Sequence, residues 1–153
     1  MSTRTLIECT DATWNVVTGC EKISAGCKNC YAERHWRRLS KNAATLYFNR
    51  SFDDVKAHAD RLSLPLHWRK PRLVFVNSMS DLFHPDVPFT FIHRVWSKMM
   101  FAHQHFYQIL TKRPENALAF FGGTRHYPSS RGFSRTADRS GWGSRLRVSR
   151  WLI

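Results

Sequence analysis

The chain has 153 residues, of which 42% are hydrophobic and 14% aromatic, and its formal net charge is +13. This length is typical of one domain with its own core, and no apolar run approaches the roughly 18 residues that a membrane-spanning helix needs. The N-terminus lacks the apolar stretch of a signal peptide, so the sequence predicts a cytoplasmic protein with no membrane partner.

The positive charge is unevenly distributed. Residues 122–153 contain seven Arg and one Asp, a net charge of +6, which leaves +7 for residues 1–121. The same segment holds five of the seven Gly and is rich in Ser. We therefore predict a β/α domain over residues 1–121 and an irregular Arg/Ser/Gly-rich tail over residues 122–153, disordered or produced by a frameshift. The alternative for the tail is an arginine-rich arm that binds nucleic acid.

The first part of the chain predicts a strand, a loop and a helix in that order. Residues 13–18 are typical of a short strand, which leads directly into a loop with three cysteines. A helix is predicted over residues 31–40 because Ala32, Trp36 and Leu39 share one helical face.

The middle of the chain predicts a further helix and a second strand with its own helix. Ser51 can cap a helix over residues 51–62, and Asp54 stands three residues later as a capping box requires. Residues 73–76 are all apolar and two of the four are β-branched, which predicts a parallel strand buried on both faces. We expect the helix that follows this strand to begin at about Pro88.

A third unit completes the predicted fold. Residues 106–110 predict a strand, and Pro114 is well placed as the first residue of the helix after it. The pattern therefore indicates an α/β fold with about three β/α units, at most half of a (β/α) barrel, followed by the irregular tail. In such folds the carboxyl ends of the strands build the site.

Polar residues follow the second and third predicted strands. Ser78, Ser80 and Asp81 come after the second strand, where their oxygens are candidates for binding a ribose or substrate hydroxyls. Lys112 comes after the third strand and is a candidate for binding a carboxylate or phosphate. The alternative for each is structural, as a turn cap or a solvated charge.

Cys20, Cys27 and Cys30 form a CxxxxxxCxxC pattern, whereas Cys9 stands apart. This spacing is poor for a disulfide framework and typical of metal ligands in a reducing compartment. Three thiolates can hold an iron–sulfur cluster and leave one iron open, or they can bind zinc with a fourth ligand. His35 is the candidate for that fourth zinc ligand.

Four blocks of sequence stand in a specific order: residues 14–20, 26–33, 74–84 and 110–114. They closely resemble a bacterial and phage family named after phage gene products thirty-seven and sixty-eight, which is similar to a divergent radical S-adenosylmethionine (SAM) family with a three-cysteine motif. The resemblance implies a partial (β/α) barrel of radical-SAM type.

The resemblance also implies a [4Fe–4S] cluster ligated by Cys20, Cys27 and Cys30. SAM would chelate the iron that the cysteines leave open, for radical chemistry on an unknown substrate. Members of the family continue beyond the third unit, so we expect a truncated member that could be inactive as it stands. A protein encoded by a neighbouring gene is an expected partner.

A second hypothesis comes from the charge and the cysteines together. It is a zinc-stabilised basic module that binds nucleic acid without catalysis. Iron uptake and salt-dependent nucleic-acid binding distinguish the two hypotheses.

Overall fold

The computed structural model describes residues 10–123, which form a mixed α/β fold. Cys9 and all but the first two residues of the predicted tail lie outside these residues. The elements, in chain order, are β1 (Ala12–Trp14), β2 (Val17–Thr18), α1 (Tyr31–Leu39), β3 (Lys56–Ala57), β4 (Leu73–Val76), α2 (Phe89–Phe101), β5 (Phe106–Ile109) and α3 (Pro114–Gly123), with short 3₁₀ helices at Ala25–Cys27, Ala59–Arg61 and Leu64–His67.

A small parallel sheet organises the fold. Its strand order is β1-β4-β5, and its register aligns Trp14 with Val76 and Val76 with Ile109. Each of these strands is followed along the chain by a helix, so the predicted order of three β/α units is confirmed within residues 10–123. Within residues 10–123 the strands do not close into a barrel. Among the described helices, none has the length and apolarity that a membrane crossing requires.

The main core lies between the parallel sheet and α2. Val74 and Val76 of β4 are fully or almost fully buried, as are Ile92 and Val95 on the facing stripe of α2. A smaller cluster forms around Trp36, which is buried against Tyr47 and donates its indole N–H to the carbonyl of Arg50 at 2.9 Å. The second cluster includes Ala32 and Trp36 of α1, whereas the first includes the buried residues of β4 and α2.

The prediction that residues 73–76 are buried on both faces is wrong for one face. Leu73 and Phe75 are only half-buried, whereas Val74 and Val76, which alternate with them along the strand, are each less than 2% exposed. The reason is that α2 covers one face of β4, while the other face opens into a cavity that Phe75 lines. The half-exposed face of the sheet is where a ligand can enter.

The predicted helix over residues 51–62 is also wrong. Lys56–Ala57 instead pairs antiparallel with Val17–Thr18, and the carbonyl of Phe52 accepts the N–H of Cys20 at 2.8 Å. Asp54 binds Arg50 rather than capping a helix, at 2.6 Å between Oδ2 and Nε. Pairing with residues 38 and 40 positions earlier in the chain therefore overrode the local capping pattern.

The predicted strand over residues 13–18 is divided into β1 and β2. The side-chain Oδ1 of Asn77 accepts the backbone N–H groups of Val16 and Val17 at 3.0 and 3.1 Å. Asn77 itself has a left-handed backbone, with φ of 59°. The end of β4 thus diverts the chain after β1 and directs it towards the cysteine loop.

Gly19 is the residue at which the chain leaves β2 for the cysteine loop. Its φ is +93°, and its N–H donates to the carbonyl of Met79 at 3.2 Å. A Cβ at this position would overlap with the carbonyl oxygen of Asp54. Only glycine satisfies both the backbone conformation and the close approach.

We expect Gly19→Ala to lower the free energy of unfolding by about 2 kcal/mol, because it adds both left-handed strain and a backbone clash. Urea denaturation monitored by circular dichroism measures the change. Gly122→Ala is the matched control, since a Cβ at Gly122 would meet no atom within 4 Å. A Gly19→Ala protein as stable as the control would show that the loop entry is not fixed in this way.

Candidate functional site

A cavity of about 450 Å³ lies at the carboxyl ends of β4 and β5. Its volume falls within the range of roughly 300–1,000 Å³ that is usual for small-molecule sites. The cavity brings together seven of the site residues predicted from the sequence, namely Cys20, Cys27, Cys30, Ser78, Ser80, Asp81 and Lys112. Loops from three separate β/α units therefore converge on one site.

Cys20 contacts a buried arginine. Arg113 is 5% exposed, and its Nη1 lies 3.5 Å from the sulfur of Cys20. Its other terminal nitrogen, Nη2, donates to the carbonyl of Glu21 at 3.5 Å. Burial raises the pKa of the Cys20 thiol, and the hydrogen bond from Arg113 opposes that effect. The arginine therefore offers a positive charge to Cys20 in its thiolate form.

Cys27 lies beside a lysine from the opposite loop. Lys112 donates from Nζ to the carbonyl of Gly26 at 2.6 Å, and the same Nζ is 3.7 Å from the sulfur of Cys27. Burial raises the pKa of Cys27, but hydrogen bonds from Ile23 and Ser24 and the charge of Lys112 together lower it to about 7. Cys27 is thus substantially deprotonated near neutral pH, which is the form that binds a metal.

Cys30 stands at the start of α1. It precedes the first helical residue, and its carbonyl accepts the N–H of Arg34 at 3.2 Å. Charge on Cys30 raises the pKa of Cys20, so the two sulfurs are electrostatically coupled. The first turn of α1 fixes Cys30, while the 3₁₀ helix Ala25–Cys27 fixes Cys27.

Asp81 connects the loop after β4 to the loop after β5. Its carboxylate is 5% exposed and accepts the Thr111 hydroxyl at 2.8 and 3.0 Å and the Lys112 N–H at 2.9 Å. It also accepts the N–H of Phe83 at 3.0 Å and lies 3.6 Å from Nη1 of Arg113. These partners occupy both carboxylate oxygens, which supports the structural alternative for Asp81 over ligand binding.

Ser78 and Ser80 line the cavity but use their hydroxyl protons within the protein. Ser78 donates to Oδ1 of Asn15 at 3.2 Å, and Ser80 donates to the carbonyl of Val17 at 2.9 Å. Each hydroxyl oxygen can still accept a hydrogen bond from a ligand. The two serines therefore offer acceptors, and Lys112 offers a donor, to a molecule in the cavity.

Two histidines near the site have different surroundings, and only His35 is a candidate from the sequence. His84 is 3% exposed and lies 3.7 Å from Oε1 of Glu21, and burial lowers its pKa. The ring of His35 contacts that of Tyr31, with centroids 4.2 Å apart and the planes tilted by 43°, and His35 lines a separate groove on α1. Because His35 does not line the cysteine cavity, the predicted Cys₃His zinc site lacks its fourth ligand here.

The residues around the cavity fit an iron–sulfur cluster in donor type. Three thiols line the same space, and two of them contact the cations of Lys112 and Arg113. A single zinc ion instead needs its ligands at about 2.3 Å from one centre. Within residues 10–123, no three His, Cys, Asp or Glu side chains are grouped closely enough to hold one metal ion.

Several cavity residues were missed by reasoning from sequence. Phe75, Leu110 and Phe52 supply apolar walls, and Thr111 anchors the loop that presents Lys112. The alternation of Val74, Phe75 and Val76 could have indicated that Phe75 points away from the core. No local signal indicates the contact between Thr111 and Asp81, because the two residues are 30 positions apart.

Comparison with known proteins identifies a family but no function. A family model described as Protein of unknown function (DUF5131) matches residues 4–148. The match extends beyond residue 121, where composition predicts the end of the β/α domain, and that division stays a prediction. No curated protein and no solved structure matches the chain.

Alkylation of the metal-free protein tests the environment of Cys27. We expect its labelling by iodoacetamide to be half-maximal near pH 7, and Lys112→Met to move that midpoint to higher pH, because the thiolate loses a neighbouring positive charge. Peptide mass spectrometry quantifies each cysteine separately. Lys28→Met, which removes the same charge beside Cys27 in sequence, should leave the midpoint unchanged. An identical shift in both variants would contradict the specific role of Lys112.

Removal of the Asp81 carboxylate tests the connection between the two loops. We expect Asp81→Ala to lower the free energy of unfolding by about 3 kcal/mol, since it leaves the Thr111 hydroxyl and the backbone N–H groups of Phe83 and Lys112 without their acceptor and removes one of the two carboxylates beside Arg113. Asp53→Ala removes an exposed carboxylate and serves as the control in the same urea titration. Equal stability of the two variants would rule out the proposed role of Asp81.

Proposed function

We propose that this chain, which belongs to the DUF5131 family of proteins of unknown function, binds a [4Fe–4S] cluster and SAM in one cavity. Cys20, Cys27 and Cys30 would ligate the cluster, and the partial barrel would be of radical-SAM type. The relation to the phage family named after gene products thirty-seven and sixty-eight is part of the same proposal. A cytoplasmic location and a partner protein encoded by a neighbouring gene also belong to this proposal.

The observation that carries the proposal is the convergence of three thiols with two cations, of which Arg113 is buried and Lys112 is exposed. Arg113 contacts Cys20 at 3.5 Å, and Lys112 contacts Cys27 at 3.7 Å. A cluster ligated by three thiolates carries net negative charge, which nearby cations stabilise. Both cations follow β5, so the sheet itself fixes them against the cysteine loop.

The cavity has the features that a sulfonium cofactor with a carboxylate requires. Lys112 can bind a carboxylate, and Ser78 and Ser80 present oxygen acceptors on the neighbouring wall. Phe75 and Leu110 give an apolar surface suited to an adenine ring. When bound, the cluster supplies the electron for reductive cleavage of SAM.

The remaining residues would orient the ligands and control access of water. Asp81 holds the backbone of Lys112, so it fixes the direction from which the lysine approaches the cavity. Arg113 reaches Cys20 and lies 3.6 Å from the carboxylates of both Glu21 and Asp81. These contacts leave Arg113 little freedom to move, so it would stay beside the sulfur of Cys20 if a cluster were bound.

The zinc hypothesis stays as the alternative, in which the cysteines stabilise a basic nucleic-acid-binding module without catalysis. It requires a fourth ligand, and His35 contacts Tyr31 in the groove on α1 instead. The cluster hypothesis needs no fourth protein ligand, because the open iron is where SAM binds.

Anaerobic reconstitution with ferrous iron and sulfide tests the proposal. We expect about four irons per chain and broad visible absorption, both lost in Cys27→Ser because three thiolates are needed to hold the cluster. Cys9→Ser is the matched control, since it makes the same chemical change at the cysteine outside the motif. Iron analysis and absorption spectra provide readouts that do not depend on enzyme activity.

Stoichiometric zinc without iron uptake would contradict the cluster and favour the alternative. Equal iron loading in Cys27→Ser and Cys9→Ser would contradict the assignment of the ligands.

A further inference from the structure

The outer face of α1 carries a strip of basic and aromatic side chains beside the cavity. Tyr31, Arg34, His35 and Arg38 line one groove, which we call the α1 groove. Arg34 and Arg38 are exposed, and the helix spacing of four residues puts them about 6 Å apart along its axis. Arg34, His35 and Arg38 do not line the cavity that the proposed function assigns to the cluster and SAM.

The two arginines of the α1 groove have no acidic partner among the described residues. The one acidic residue of α1, Glu33, is engaged by Lys22 at 2.8 Å and by Arg37 at 3.8 Å. The positive charge of Arg34 and Arg38 is therefore available to an external anion. Their spacing is comparable with that of successive phosphates in a nucleic-acid strand.

Tyr31 joins the α1 groove to the cavity. It lines both, the residue is 52% exposed, and its ring contacts the ring of His35, with centroids 4.2 Å apart and the ring planes at 43°. An exposed aromatic ring held by a second ring provides a platform for stacking a base. An acidic peptide would use the arginines but has no need of such a platform.

We propose that the α1 groove binds a single-stranded nucleic acid and directs one nucleotide of it into the cavity. Arg34 and Arg38 bind successive phosphates, and Tyr31 stacks on a base at the cavity mouth. A nucleotide in the cavity must be unpaired, as in enzymes that extrude their target base. The identity of the cavity as a reaction site rests on the proposed function, whereas the binding itself does not.

Fluorescence anisotropy with short labelled single strands of DNA and RNA, using the full-length metal-free chain, tests the proposal. We expect Arg34→Gln/Arg38→Gln to weaken binding about tenfold and to make the slope of log affinity against log salt shallower by about 1.4. Arg69→Gln/Lys70→Gln is the matched control, because these exposed residues precede β4 and lie at the opposite edge of the sheet. Its affinity should stay within about twofold of the wild type.

Substitutions of Tyr31 test the stacking interaction separately. We expect Tyr31→Ala to weaken binding by at least about fivefold and Tyr31→Phe to retain it, since the ring and not the hydroxyl stacks. Circular dichroism and urea titration show that each variant is folded. Comparison of the two affinities shows whether the α1 groove prefers DNA or RNA.

Equal losses in the two double variants would overturn the α1 groove as the binding site, because total charge alone would then account for binding. Stronger binding of polyglutamate than of either strand would overturn the nucleic acid as the ligand in favour of an acidic protein. Iron loading of Arg34→Gln/Arg38→Gln separates the two proposals, since it should match the wild type. Failure of strand binding with normal iron loading contradicts only the α1 groove.

Discussion

The buried carboxylate of Asp81 accepts hydrogen bonds from the hydroxyl of Thr111 and from the backbone of Lys112 and Phe83. Through these contacts the loop after β4 determines the path of the loop after β5. Burial of an unpaired carboxylate would cost free energy of folding. Here four protein groups, three hydrogen-bond donors and Arg113, compensate for that burial. The positions of Lys112 and Arg113 against the cysteines follow from this one arrangement.

The site is therefore built from three consecutive strand ends rather than from the cysteine loop alone. β1 and β2 deliver Cys20 through Gly19, the end of β4 supplies Asn77 and Asp81, and β5 supplies the two cations. Thiols beside fixed positive charges suit a negatively charged cluster, and the half-exposed face of β4 leaves room for a second ligand. The aromatic and basic α1 groove continues the same surface outward.

The sequence predicts those parts of the fold whose signals are local. Strand Leu73–Val76 has the predicted bounds and the helix at Pro114 has the predicted start, because an unbroken apolar run and a proline at the first helical position act within a few residues. The helix predicted from Ser51 failed because β3 pairs with β2, a contact that no local pattern encodes. Seven candidate site residues share one cavity. The structural role of Asp81 could not be predicted, because it depends on a contact with a residue 30 positions away.

The central claim is that the three cysteines hold a cluster with one iron open to SAM. Electron paramagnetic resonance of the reconstituted and reduced protein, recorded with and without SAM, tests this claim most directly. We expect the signal of a reduced [4Fe–4S] cluster whose g values shift when SAM is added, because SAM would bind the open iron. A signal that SAM leaves unchanged, or no cluster signal at all, would contradict it.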